Sequence, residues 1–247
     1  MATLITLLTD FGDADSYLGE MKGVLLSRVH GAALADITHQ VPPGDVRAAQ
    51  YILSRVWHRF PRETVHVAVV DPGVGTTRRA LAAAAAGHYF VAPDNGLLSF
   101  LPPDAQFVSL PIPANAAPTF HGRDVFAPAA GQLALGASLK PLGQAITDPH
   151  LAPLPAPREV GGVVLGEVIY VDRFGTLISN LPSGLVRPTA HVTVGGSDVG
   201  ALRRTFADVE RGQVVAFAGS NGTVEIAVRD GSAAKKLGVG VGAEVRA

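Results

Sequence analysis

The chain has 247 residues, of which 47% are hydrophobic and 17% charged, and its formal net charge is -1. This composition predicts a compact globular protein and excludes a disordered chain. The near-zero charge disfavours nucleic acid or an acidic membrane surface as a partner. The absence of cysteine excludes disulfides, thiolate metal sites and thiol nucleophiles. A small-molecule partner is therefore favoured.

No apolar run reaches the roughly 20 residues that a membrane-spanning helix needs. Residues 1–8 are apolar, but they lack a basic leader and a small-residue cleavage site, and Asp10 ends the run. We interpret this segment as a buried first strand. The sequence predicts a cytoplasmic protein without a membrane partner.

Three apolar runs in the first third each end at a polar residue and predict buried parallel strands over 4–8, 32–37 and 65–70. Between the last two, apolar residues recur at helical spacing over 45–60, with Asp45 as a plausible N-cap. A strand, helix, strand order predicts a right-handed crossover and a mostly parallel sheet.

The segment 80–93 predicts a hairpin that turns at Ala86-Gly87, and a helix should follow from about Asp124 to Leu135. The segment 148–158 contains four prolines, which neither a helix nor a central strand tolerates. We therefore expect an α/β N-terminal domain with a mostly parallel sheet over residues 1–152.

The remainder, residues 153–247, alternates short β-prone runs with turn residues and predicts a small all-β barrel-like C-terminal domain. The predicted strands are 163–171, 177–181, 191–194, 214–218, 223–228 and 244–246, with turns at Gly195-Gly196-Ser197 and Ser220-Asn221-Gly222.

The segment from Asp71 to Arg79 places a carboxylate, a glycine-containing turn and Arg78 at the carboxyl end of a predicted strand, where open α/β sheets bind ligands. A turn with a surface ion pair would produce the same pattern. His121 precedes a helix that Asp124 is expected to cap, so its ring could face a cleft or simply pack in the core.

Two further aspartates have alternative explanations. Asp10, at the tip of the first strand, could accept hydrogen bonds from a ribose diol or cap a helix. Asp172 and Phe174 could hold an ammonium group and a base, or belong to an exposed turn. The aspartate-bearing tips also admit a divalent cation, but no metal-binding spacing supports one, and we expect no metal.

Six motifs, in the same order along the chain, together resemble the S-adenosyl-L-methionine (SAM) hydrolase (adenosine-forming) family, long described as a domain of unknown function and related to fluorinase and chlorinase. The likeness runs from residue 4 to about 245. The motifs are Leu8-Thr9-Asp10-Phe11-Gly12, Asp36-Ile37-Thr38-His39, Val70-Asp71-Pro72-Gly73-Val74-Gly75-Thr76, Pro93-Asp94-Asn95-Gly96, Thr119-Phe120-His121-Gly122-Arg123-Asp124 and Asp172-Arg173-Phe174-Gly175.

The resemblance implies hydrolysis of SAM to adenosine and methionine, with SAM as substrate and no cofactor, in a homotrimer whose ligand lies between subunits. It assigns water activation to Asp71, Arg78 and His121, and ribose binding to Asp10. The other implied ligand contacts are Asp172 (methionine ammonium), Ser220 and Asn221 (methionine carboxylate), Phe174, Thr176 and the backbone near Ala227 (adenine), and Asn95.

Two residues depart from the family pattern. Thr176 stands where an adenine-binding asparagine is usual, and Arg229 replaces a frequent asparagine. A hydroxyl offers one atom where an amide offers a paired donor and acceptor, so base recognition should differ.

Three functions other than SAM hydrolysis are also compatible with the sequence. A SAM-dependent halogenase of this family carries tyrosine at position 71 and serine at 122, and a carboxylate at position 71 would repel halide. The fold could also serve a non-catalytic SAM or adenosine sensor. The third alternative is a metal-dependent phosphohydrolase.

Overall fold

The computed structural model describes residues 3–187 and 189–247. The chain separates between residues 153 and 154 into two compact units, which are described one at a time. Among the described residues, no helix combines the length and apolar character that crossing a membrane requires.

The first unit alternates strands and helices over its first half and continues mainly with strands. Its elements are β1 (Leu4–Thr9), α1 (Tyr17–Arg28), β2 (Ala33–Thr38), α2 (Val46–Val56), a 3-10 turn (Trp57–Arg59), β3 (Val65–Val69), β4 (Ala80–Ala85), β5 (His88–Pro93), β6 (Gln106–Leu110), a π-helical turn (Gly122–Phe126), α3 (Ala127–Ala134), a 3-10 turn (Lys140–Leu142) and β7 (Gln144–Ile146).

In the described part of this unit, the strands form one seven-stranded sheet in the order β2-β1-β3-β5-β4-β6-β7. Pairing is parallel from β2 to β5 and antiparallel from β5 to β7. The expected mostly parallel sheet is therefore correct for one end only. The β4–β5 hairpin reverses the chain direction, with Ala86 and Gly87 both at positive φ, and β6 and β7 continue antiparallel beyond it.

The four parallel strands end at one edge of the sheet, as parallel strands must. Asp10, His39, Asp71 and Asn95 follow β1, β2, β3 and β5 by one or two residues. The chain runs from β1 to β2 on one side and then returns to β3 on the other, so the tips of β1 and β3 flank a topological switch point. Open α/β sheets bind ligands at such points.

The helices follow the predictions in part. The Asp45 side chain caps α2 by accepting from the Ala48 amide at 2.9 Å, as predicted, and the α-helix ends at Val56 where a 3-10 turn begins. The predicted cap at Asp124 is wrong, because this residue lies inside the π-helical turn and its carboxylate accepts from the Ala117 amide at 2.8 Å.

The helix α1 was not predicted. Glycines at positions 19 and 23 lower its helix propensity, and its N-cap residue Ser16 makes no capping hydrogen bond. Only Met21 and Leu25 along it are buried, four residues apart, and they pack into the core against the sheet and α3. Tertiary packing therefore holds this helix in place.

The second unit consists almost entirely of strands. Its elements are β8 (Arg158–Val160), β9 (Val163–Val171), β10 (Leu177–Pro182), a 3-10 turn (Ser183–Leu185), β11 (His191–Val194), β12 (Ser197–Ala201), a 3-10 turn (Phe206–Asp208), β13 (Val214–Ala218), β14 (Thr223–Val228), α4 (Ala233–Leu237) and β15 (Glu244–Arg246).

The described strands of this unit pair antiparallel in the order β12-β11-β15-β9-β10-β14-β13, with β8 added beside β9. The ends of this series approach each other, since Arg203, just after β12, bridges to Phe217 of β13 and donates from its amide to Ala216 at 2.7 Å. The sheet is thus nearly closed around a core of valine, leucine and isoleucine, in agreement with the predicted barrel-like fold.

A histidine pair is buried on the face of the first sheet that lies next to Trp57 and Phe60. The His66 Nδ1 lies 2.8 Å from the Thr6 hydroxyl oxygen, within hydrogen-bond distance. Its Nε2 lies 3.2 Å from His88 Nδ1. Burial, with a smaller contribution from His88, lowers the pKa of His66 to about 3. The ring is therefore neutral in the folded protein.

This pair predicts a loss of stability in acid. As pH falls from the ordinary histidine pKa towards 3, the unfolded chain binds a proton at His66 that the folded chain does not, so the free energy of unfolding decreases. A His66→Gln variant should be less stable near neutral pH but should lose less stability between about pH 7 and about pH 5, measured by chemical denaturation. His30→Gln, at an exposed position, is the control. An unchanged pH dependence in His66→Gln would contradict this origin.

Candidate active site

Asp71, Arg78 and His121 meet in one cluster in the first unit. The Arg78 guanidinium holds Asp71 in a two-pronged ion pair, with Nε 2.9 Å from Oδ1 and Nη2 in close contact with Oδ2. The same Nη2 lies 2.9 Å from His121 Nδ1. All three side chains are nearly buried, with Arg78 and Asp71 only 9% and 5% exposed. The alternative of a surface ion pair is thereby excluded.

The turn between Asp71 and Arg78 explains how the cluster forms. Gly75 adopts φ 77°, and a Cβ at this residue would lie 2.7 Å from the Pro118 carbonyl oxygen. Only glycine fits this close approach, which packs the turn against the segment that leads to His121. Arg78 lies two residues before β4, whose first residue is at the same sheet edge as the end of β3 because β4 runs antiparallel.

The electrostatics of the cluster favour a neutral His121. Burial and the neighbouring Arg78 charge lower the pKa of His121, outweighing the opposite influence of Asp71. Arginine can only donate, so Nδ1 of His121 must accept from it. The neutral ring therefore carries its proton on Nε2. The face of the Arg78 guanidinium also lies against the Phe126 ring, with Cζ 5.4 Å from its centroid.

Asp10 lies at the tip of β1 and does not cap a helix. Its Oδ2 accepts from the Gly44 amide at 2.8 Å, which fixes the carboxylate at the sheet edge, and α1 begins only at Tyr17. Asn95, at the tip of β5, donates from its side-chain amide to the carbonyl of Val70 at 2.9 Å. It therefore supports the backbone immediately before Asp71.

The predicted residues of the second unit lie in three places. Asp172, Phe174, Thr176 and Arg229 line a cavity of ≈ 820 Å³. Within the described set, Ser220 and Asn221 lie apart from that lining in the exposed β13–β14 turn, and Ala227 is buried in β14.

The cavity is shaped by local hydrogen bonds. Asp172 Oδ1 accepts from the amides of Phe174 and Thr176 at 2.9 and 2.8 Å, which leaves the Phe174 ring 72% exposed beside a buried Thr176. Arg229 donates to the Val209 carbonyl at 2.8 Å and thereby secures the segment that borders the cavity.

Sequence reasoning missed an aromatic group beside the cluster. Phe11, Tyr17 and Phe120 pack edge to face, with centroids 5.3 to 6.1 Å apart. Phe11 and Phe120 are the chain neighbours of Asp10 and His121, and Tyr17, the first residue of α1, is half exposed. Phe11 and Phe120 belonged to motifs already singled out, whereas Tyr17 gave no local signal. In the described part of the chain, no group of three or more histidine, aspartate or glutamate residues is arranged to hold a metal ion.

Comparisons with known proteins agree on one family. The chain is 43% identical to the (R)-S-adenosyl-L-methionine hydrolase of Thermus thermophilus, over 98% of both proteins. It is 29% identical to a fluorinase of an Actinoplanes species, over 72% of this chain and 71% of that protein.

Among solved structures, an uncharacterized conserved protein from Thermotoga maritima matches with a TM-score of 0.89 and 35% identity, over 98% of both chains. The N-terminal domain of the SAM hydroxide adenosyltransferase family matches residues 5–143, and its C-terminal domain matches residues 166–246. The chain therefore belongs to the SAM hydroxide adenosyltransferase family.

Proposed function

We propose that this protein is an enzyme that hydrolyses S-adenosyl-L-methionine to adenosine and L-methionine. The relatives named (R)-S-adenosyl-L-methionine hydrolase, which cover nearly the whole chain, support this substrate. The single observation that carries the proposal is the convergence of Asp71, Arg78 and His121 in one nearly buried cluster.

The reaction matches what this cluster can supply. A water oxygen forms a bond to C5′, the C5′–S bond breaks, and its electron pair returns to sulfur, so methionine leaves as a neutral thioether and needs no acid. The demand falls on the water, which must lose a proton as it attacks. A fixed cation and a hydrogen-bond donor stabilise the developing hydroxide, and low water content strengthens both interactions.

We assign the roles from the direction of the hydrogen bonds. His121 Nδ1 is occupied by Arg78, so its Nε2–H is a donor and can hold the water oxygen but cannot take its proton. Asp71 is the remaining base: each of its oxygens accepts from Arg78, and a carboxylate oxygen has a second lone pair. Arg78 orients both partners and stabilises the negative charge.

Halide in place of water suits this site less well. Asp71 already balances Arg78, so a halide would add a second anion beside one cation. The serine of halogenases at position 122 would also be crowded, because a Cβ on Gly122 would lie 3.0 Å from Met21 Sδ and 3.3 Å from the Phe120 ring. Hydrolysis is therefore preferred over halogenation.

The substrate contacts are proposed from the family resemblance. Asp10 would bind the ribose diol, and Asn95 would contact the ligand. Asp172, Ser220 and Asn221 would hold the methionine part, and Phe174, Thr176 and the backbone at Ala227 the adenine. We further propose a cytoplasmic homotrimer without cofactor or metal, with domains 1–152 and 153–247 and the ligand between neighbouring subunits.

The reaction itself is tested by incubating the protein with SAM in ¹⁸O-labelled water and separating the products by chromatography. We expect adenosine and methionine, with the label in the adenosine 5′-hydroxyl, and faster turnover of the (R) sulfonium epimer. Exhaustive chelation should leave the rate unchanged. A stable complex without products would support the sensor alternative, and 5′-halo-adenosine at high halide without adenosine would support halogenation.

The water-activating cluster is tested by Asp71→Asn and His121→Asn. Asp71→Asn should lower kcat by about 10²-fold or more, the usual contribution of proton transfer, and His121→Asn by about 10²-fold because a donor to the developing hydroxide is displaced, while adenosine affinity stays similar. Asp148→Asn is the matched control, because Asp148 is the exposed partner of the adjacent Arg79, 2.8 Å from Nη1.

The pH profile of the wild-type enzyme provides a second test of these roles. His121 acts as a neutral donor and its pKa is lowered, so kcat should hold as pH falls to the ordinary histidine range and decline only below it. Protonation of Nδ1 would then oppose the Arg78 N–H and break the cluster. A decline that begins well above that range, or wild-type turnover by Asp71→Asn, would refute these roles.

The subunit arrangement predicts complementation between inactive variants. Asp71→Asn and Asp172→Ala affect different domains, so co-expression should produce some sites that join an intact N-terminal domain to a neighbour's intact C-terminal domain. Activity should reappear in the mixed preparation, and sedimentation equilibrium should give a trimer. A monomer, or mixed trimers without recovered activity, would contradict a shared site.

A further inference from the structure

His39 lies behind Asp10 and contacts the residues on both sides of it. The His39 Nδ1 is 2.8 Å from the Thr9 hydroxyl, and both side chains are buried. The His39 backbone carbonyl accepts from the Gly12 amide at 2.8 Å. One residue at the tip of β2 thus fixes the loop that carries Asp10 both before and after the aspartate.

The positions of the protons on the Thr9 hydroxyl and the His39 ring follow from the group that donates to Thr9. The Phe11 amide donates to the Thr9 hydroxyl oxygen at 3.3 Å, so the hydroxyl proton is available for Nδ1 of His39. The ring proton then belongs on Nε2, which lies 3.2 Å from Asp36 Oδ1, close enough for a charge contact but without hydrogen-bond geometry.

Asp36 is itself anchored. Its Oδ2 lies 2.6 Å from the Lys22 ammonium group on α1. Lys22, Asp36, His39 and Thr9 therefore lie in succession behind the backbone of the Asp10 loop, with hydrogen bonds at the two ends and a charge contact between Asp36 and His39. Thr9 is fully buried, which excludes it as a nucleophile and leaves orientation as the use of this aspartate–histidine–hydroxyl series.

We propose that His39 is a positioning residue for ribose recognition, which holds the Asp10 carboxylate where two sugar hydroxyls can donate to it. The inference rests on the proposed function, since it takes Asp10 as the ribose contact. The Gly44 amide fixes one oxygen of that carboxylate, and the His39 contacts fix the backbone beneath it. A change of the loop by a fraction of an ångström weakens hydrogen bonds that depend on both distance and angle.

The test uses adenosine, 2′-deoxyadenosine and 3′-deoxyadenosine as probes, with affinities measured by calorimetry. In the wild-type protein each missing hydroxyl should cost about tenfold in affinity, the value of one hydrogen bond to a charged group. In His39→Gln, adenosine should bind about tenfold more weakly, while each deoxynucleoside, which keeps one of the two hydroxyls, should lose less affinity. The preference for the intact diol therefore shrinks.

Matched variants distinguish a loss of Asp10 positioning from a general loss of folded structure. His39→Asn places an acceptor near the Nδ1 position and should retain most of the diol preference, whereas His39→Gln reaches only towards Asp36. If His39→Gln does not fold, Asp36→Asn at a partly exposed position should give the same loss of preference to a smaller extent. Asp15→Asn removes an exposed carboxylate from the loop before α1 and should behave as wild type.

The outcomes distinguish the two proposals. Equal loss of affinity for all three nucleosides in His39→Gln, or an undiminished diol preference, would overturn the positioning role. A wild-type protein that binds no adenosine, or binds all three equally, would instead overturn the ribose contact of Asp10 in the proposed function.

Discussion

The site depends on the contacts of the Arg78 guanidinium, because it binds both Asp71 and His121 within a nearly buried cluster. A buried carboxylate without a partner would be costly, and removal of one partner from such a pair leaves an uncompensated charge. Arginine suits this place better than lysine, since its planar fork meets both carboxylate oxygens and still donates to a ring nitrogen. The proton position on His121 follows directly from that donation.

The sheet supplies the convergence that the cluster requires. Parallel strands end at one edge, so residues far apart in the chain meet there without long loops. The antiparallel β4 adds Arg78 to that edge from the opposite chain direction, beside the end of β5. The departure from a mostly parallel sheet is therefore what places the arginine beside Asp71, and Gly75 allows the connecting turn to pack against Pro118.

Much of this fold could be predicted from local patterns. The strands β1, β2, β3, the β4–β5 hairpin and six strands of the second unit follow from apolar runs and turn residues, and the Asp45 cap follows from its position. The helix α1 could not, because its two glycines and single pair of buried residues carry little periodic signal. The π-helical turn could not be predicted either. Its Asp124 contacts the Ala117 amide and does not cap a helix, and this tertiary contact leaves no local pattern in the sequence.

The candidate residues were found through motifs, but their connections were not. No spacing in the sequence shows that α1 joins the two halves of the site through successive residues. Glu20 pairs with Arg123 at 2.8 Å, Met21 packs against Gly122, and Lys22 holds Asp36 at 2.6 Å. The first two contacts set the turn that carries His121, and the third sets the series behind Asp10. A shift of α1 would therefore move together the parts proposed to hold the water and the ribose, because a close-packed interior transmits strain.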